Sequence, residues 1–158
     1  MLKYTVLIGL LLTLCSCSNN KVEFADYSNL PDGWEKDKAV SFTFKAPDTI
    51  NTYDVFINLR NDERYPFSNL FLIVNMEFPD GKVITDTLEY EMAKPDGEWL
   101  GQGFTDLKES KLWYKEAVRF PDTGSYRMEI FHAMRKNGNI DGVRSLEGVT
   151  DVGISVEN

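Results

Sequence analysis

From Val40 onward, apolar and polar side chains alternate with a period of two. Val40, Phe42, Phe44 and Ala46 interleave with Ser41, Thr43 and Lys45; Tyr53, Val55, Ile57 and Leu59 interleave with Asp54, Phe56, Asn58 and Arg60. Successive side chains of a strand point to opposite faces, so each run predicts a strand with one face turned to a core. The pattern returns in Leu70, Leu72, Val74, Met76 and Phe78, then in Ile84, Leu88, Tyr90 and Met92, and further strands are predicted over 112–120, 126–134 and 152–156. No stretch of comparable length carries a helical stripe. Of the six prolines, five precede an aspartate, at Pro31, Pro47, Pro79, Pro95 and Pro121, and these are turn signals. Proline presets φ at the first corner, aspartate hydrogen-bonds the local backbone, and a following glycine accepts positive φ. Seven or more short strands bounded by such turns predict an all-β fold: an antiparallel β-sandwich, jelly-roll-like, with a closed β-barrel as the alternative.

The N-terminus breaks the pattern. Thr5 to Leu14 is an apolar run too short to span a bilayer, preceded by Lys3 and followed by Cys15-Ser16-Cys17. That is the anatomy of an export signal ending in a lipoprotein processing site. Cleavage before Cys17 places small Ser16 at the cut, whereas cleavage before Cys15 would place bulky Leu14 there, so Cys17 is the expected lipidation site. Residues 1–16 are the expected signal peptide, 17–26 a lipidated polar tether, and 27–158 one domain. Two or three acyl chains make a stable anchor where one is marginal.

Both cysteines lie in or beside the signal, so the domain has none for a disulfide, thiolate or metal site and must fold on packing alone. Seventeen basic and 25 acidic side chains give a net charge of −8, one unit lower once Lys3 leaves with the signal, which argues against nucleic acid as a partner. His132 is the sole histidine, and alternation puts it beside Tyr126, Met128, Ile130 and Met134 on a core face. A single histidine without a free cysteine is poor material for a triad or a metal centre, and no spacing singles out two carboxylates. The Pro-Asp-Gly turns lack the alternating carboxylates of an EF-type loop. The glycines of Gly97-Glu98-Trp99-Leu100-Gly101-Gln102-Gly103 lack the helix and lysine of a phosphate cradle, so they read as a tight turn with a bulge that positions Trp99. No catalytic residue, cofactor or metal is expected. Phe56, Phe71, Ile73, Trp113 and Phe131 fall on faces that should be polar; if they stay exposed, they form a patch suited to a protein or a sugar ring.

Several segments together carry a resemblance: Arg60-Asn61, Tyr65-Pro66-Phe67-Ser68-Asn69-Leu70, Asp86-Thr87-Leu88-Glu89, the 97–103 segment, Gly124-Ser125-Tyr126, Ala133-Met134-Arg135 and Asp151-Val152-Gly153-Ile154. With the lipoprotein signal they cover nearly the whole chain, and in this order and spacing the chain resembles the GldH lipoproteins of Bacteroidetes. The resemblance leads one to expect glutamine where His132 stands. It implies a non-enzymatic envelope lipoprotein that supports the gliding motility machinery, which shares components with type IX secretion, or envelope assembly more broadly. The implied partners are the membrane, through lipid on Cys17, and other envelope proteins, including other gliding lipoproteins. Arg60, Tyr65, Asn69, Trp99 and Arg135 are the candidate interaction residues, since they lie in these motifs and combine aromatic surface with hydrogen-bonding capacity. A lipid-anchored carbohydrate-binding module is the alternative. Ser18, rather than aspartate, after Cys17 favours sorting to the outer membrane, and the lack of an acidic run there favours its periplasmic face.

Overall fold

A computed structural model describes residues Lys21–Asn158. The signal peptide and the lipidation site at Cys17 lie outside the described residues. Ten strands form: β1 (Val22–Asn29), β2 (Trp34–Glu35), β3 (Val40–Lys45), β4 (Tyr53–Asn61), β5 (Asn69–Glu77), β6 (Val83–Glu91), β7 (Lys108–Val118), β8 (Ser125–His132), β9 (Ser145–Leu146) and β10 (Val149–Glu157). The turns between them use the expected chemistry. The Asp48 carboxylate accepts from the amides of Ile50 (2.8 Å) and Asn51 (2.7 Å), Asp80 from Lys82 (2.9 Å) and Asp96 from Glu98 (3.0 Å).

Setting aside the two-residue strands, first pairs with last all the way inward: β1 with β10, β3 with β8, β4 with β7 and β5 with β6, each antiparallel. The chain is thus one long ribbon whose tip is the Pro79-Asp80-Gly81 turn. Rolling the ribbon brings β10 against β4 and β8 against β5, which yields two four-stranded sheets ordered β1-β10-β4-β7 and β3-β8-β5-β6. This is a jelly-roll sandwich. It is not a closed barrel: β1, β7, β3 and β6 remain as sheet edges. The short β2 and β9 pair with each other as a separate ribbon.

The core is the set of inward positions that the alternation marks. Val40, Phe42 and Phe44 of β3 face Leu72, Val74, Tyr126, Met128 and Ile130 within their sheet and Val55, Ile57, Leu59, Val152, Ile154 and Val156 of the other, all buried. At roughly 25 cal/mol per Å² of apolar surface removed from water, such a layer stabilises the domain without any covalent staple. One boundary moves. Val22 to Asp26, polar enough to read as tether, are part of β1: Ala25 pairs with Ser155 and Asp26 with Ile154, while the Phe24 ring packs 5.5 Å from that of Phe44.

The strand directions give the sandwich two unlike ends. The chain enters at Val22, beside Glu157, Asp54 and the short connections 46–52, 78–82 and 119–124. The opposite end holds the connections 30–39, 62–68, 92–107 and 133–148, three of which run to ten residues or more.

Candidate interaction surface

Four of the five candidate residues gather on one side of that far end. Tyr65 follows β4, in the 62–68 connection. Gly148 explains how the connection is held: it sits at φ +79°, and a Cβ there would collide with the Tyr65 backbone. Its carbonyl accepts from the Asp62 amide at 2.8 Å. Tyr65 itself is buried, its hydroxyl donates to the Asn69 carbonyl at 2.7 Å, and burial raises its pKa. The 97–103 segment doubles back through paired bridges, Ala93 with Trp99 and Gln102 with Glu109, laying the Trp99 ring 6.0 Å from that of Tyr65. Trp99 is half-buried and packs on the core. Tyr65 is thus buried among the loops, and Trp99 packs against it with part of its surface still exposed.

Above them lies a groove of about 1200 Å³ on the outer face of β5, β6 and the start of the 133–148 connection. Phe71 and Ile73 of β5 form its floor, Pro66 and Phe67 close one end, and Asn69 and Arg135 line it. The Ala133 amide donates to the Phe71 carbonyl at 2.8 Å, so the chain beyond β8 continues along β5 and fixes Arg135 at the groove wall. Arg135 in turn bridges to Gly142. Across the floor stand Glu89 and Glu91 of β6, and the Asn69 amide donates to Glu89 at 3.2 Å.

Arg60 is elsewhere, on the outer face of the other sheet. Its Nε donates to Glu109 at 2.8 Å, and its guanidinium lies 4.5 Å from the centre of the Tyr27 ring, whose hydroxyl also donates to Glu109 at 2.9 Å. Burial and the Glu109 carboxylate push the Tyr27 hydroxyl up to about 12. Gly153 makes this stack possible, because a Cβ there would approach the Tyr27 ring to 2.6 Å. The outward aromatics divide. Phe56 is buried under Trp113, at 4.4 Å between ring centres, with the Lys111 ammonium 4.1 Å from the Phe56 ring centre; Trp113 is 53% exposed. Phe71, Ile73 and Phe131 are half-buried.

His132 ends β8 on the core face, buried, with the Trp34 ring edge-on at 5.5 Å. Neither ring nitrogen has a hydrogen-bond partner among the described residues, and burial lowers its pKa. No cluster of histidine, cysteine and carboxylate side chains able to hold a metal is found among the described residues.

A family model described as GldH lipoprotein matches residues 22–156, essentially the whole sandwich. The chain belongs to the GldH lipoprotein family. It is 51% identical, over 96% of its length and 93% of the relative's, to a protein described as "Gliding motility lipoprotein GldH homolog" from Christiangramia forsetii. It is 47% identical, over 96% and 94%, to "Gliding motility lipoprotein GldH" from Flavobacterium johnsoniae. Among solved structures, the infectious bursal disease virus VP2 subviral particle is similar at 14% identity and a TM-score of 0.38, covering 89% of this chain and 33% of that one. The chain thus spans about a third of that solved chain's length. The segments that carry the GldH resemblance concentrate at the far end of the fold: Arg60-Asn61, 65–70, 97–103, 133–135 and 151–153 all lie there, and Gly124-Ser125-Tyr126 alone sits wholly at the near end. Gly148, just outside those segments, carries a local signal in Glu147-Gly148, a turn before a strand.

Proposed function

We propose that this protein is a non-enzymatic envelope lipoprotein, held by lipid on Cys17 at the periplasmic face of the outer membrane, where it supports the gliding motility and type IX secretion machinery through contacts with other envelope proteins. The observation that carries the reading is the near full-length match at 51% identity to a relative described as a gliding motility lipoprotein homolog. The geometry supports it in two ways. The groove is open and, at about 1200 Å³, larger than the roughly 300–1,000 Å³ of small-molecule sites, while a second hollow of about 600 Å³ lies beside Trp99, Gly101 and Phe104. Trp99, whose exposure would favour a sugar platform, is folded onto Tyr65.

The test is a deletion strain complemented with wild type, Cys17→Ala or Cys15→Ala, scored for colony spreading, for secretion of a type IX cargo and for fatty-acid labelling. Wild type and Cys15→Ala should restore the phenotype and take label, and Cys17→Ala should do neither. A deletion with unchanged spreading, secretion and envelope integrity would defeat the functional reading. Label on Cys17→Ala but not on Cys15→Ala would reassign the acceptor.

A further inference from the structure

The far-end groove has walls of opposite charge. β5 supplies the apolar floor, Phe71 and Ile73; its neighbour on one side is β6, with Glu89 and Glu91, and on the other the chain leaving β8, with Arg135 and Lys136. Arg135 and Lys136 have no carboxylate within ion-pair distance among the described residues, whereas Lys94, the third cation of the lining, just after β6, is held by Glu98 at 2.7 Å. Glu91 is likewise free of a cation. The walls are two strand spacings apart, roughly 10 Å, and a chain at about 3.3 Å per residue covers that span in three residues.

We propose that this groove docks an extended segment of a partner protein in which an acidic and a basic residue stand about three positions apart, with an aromatic or branched aliphatic side chain between them. The proposal rests on the reading of the protein as an interaction lipoprotein and names the chemistry its partner presents. The acidic residue meets Arg135 and Lys136, the apolar side chain covers Phe71 and Ile73, and the basic residue meets Glu91. Desolvation of the central apolar contact supplies the affinity; the two charged walls set orientation and exclude segments carrying one sign of charge. A bilayer is a poor occupant. The chain enters at Val22, at the other end of strands eight to nine residues long, and the groove's walls are of mixed sign.

The probes are fluorescein-labelled decapeptides in which a Phe-Ser pair is flanked by every combination of glutamate and lysine. They are titrated by fluorescence anisotropy into the full-length lipidated protein in detergent. Peptides flanked by one glutamate and one lysine should bind saturably and at least tenfold more tightly than those flanked by two of either. Arg135→Glu should move the preference to the doubly basic peptide, and Glu91→Lys to the doubly acidic one, both with unchanged melting temperatures. A flat ranking, a ranking that neither substitution moves, or a groove occupied instead by a second copy of this chain or by a soluble oligosaccharide would overturn the proposal. The envelope role would survive any of these results, because it is read from the deletion strain.

Discussion

His132 shows how one side chain ties this fold to pH. Its imidazole is buried beside Trp34, and burial lowers its pKa, with Lys36 adding to the shift and the Trp34 backbone, Glu35 and Asp37 opposing it. The native state therefore binds fewer protons than the unfolded chain once pH falls below the ordinary histidine value of about 6.5. Its contribution to stability is complete above that value and is lost as pH falls toward the depressed one. Urea titrations from pH 7 to 5.5 should show a declining midpoint in the wild type and a flatter one in His132→Gln, which restores the residue that the GldH resemblance leads one to expect. Equal slopes would remove His132 from the acid response. Two glycines make a second comparison at this scale. Gly81 and Gly148 have nearly the same φ, +85° and +79°, but open space surrounds a Cβ at Gly81, whereas one at Gly148 meets the Tyr65 backbone. Gly81→Ala should cost the left-handed penalty alone, about 1–2 kcal/mol, and Gly148→Ala at least about 3 kcal/mol, read from unfolding midpoints. The inward position of His132 was legible from alternation. The need for glycine at 148 was not, because it arises from a segment more than eighty residues earlier in the chain.

Among the elements, the alternating inner faces were legible and the covering of the outer faces was not. β3, β5 and β8 alternate strictly, and each stands where the period of two puts it. β4 and β10 are central in their sheet, and their outer faces are covered too: Trp113 and Lys111 lie over Phe56, and Lys111 pairs with the buried Glu157 at 2.7 Å. That covering is a cross-strand effect with no local trace, and it left Phe56 unexplained in the sequence. β1 was missed for the opposite reason. An edge strand needs little apolar surface, and its two ring-bearing residues face opposite ways, Phe24 toward Phe44 in the core and Tyr27 onto Gly153 outside. The candidate site shows the same division. The groove's floor was visible as apolar residues on a polar face, but the burial of Tyr65 and the packing of Trp99 against it were not, since tryptophan and tyrosine in loops read equally as anchors or supports. β1 also yields a prediction. A chain beginning at Ser28 removes most of the β1 pairing and bares the edge of β10, so it should unfold at a clearly lower urea concentration than one beginning at Asn19, and aggregate on concentration. Matching midpoints and monodisperse elution for both would show that residues 22–27 act as tether.

At the scale of the whole molecule, the jelly roll sets the distance between anchor and working surface. An even number of strands between entry at Val22 and the tip of the ribbon would not by itself favour either end; the asymmetry comes from connection length, with connections of five to seven residues beside Val22 and three of ten or more opposite. A strand of eight residues spans roughly 25 Å, so Arg135 stands about that far from Val22 along the strand axis, while the groove's floor reaches back to Ile73 in the middle of β5. With Cys17 as the proposed anchor, only the four residues from Ser18 to Lys21 separate it from β1. The proposed processing makes this measurable: if Cys15 leaves with the signal and Cys17 carries lipid, an introduced cysteine is the sole free thiol of the mature chain. A fluorophore on Asp80→Cys, in the near-end turn, should be quenched by brominated lipids when the lipidated protein is reconstituted in vesicles. The same fluorophore on Lys136→Cys should retain nearly all of its emission. Equal quenching at both positions would mean that the sandwich lies flat on the membrane, with the groove's outer face turned toward lipid rather than toward protein partners.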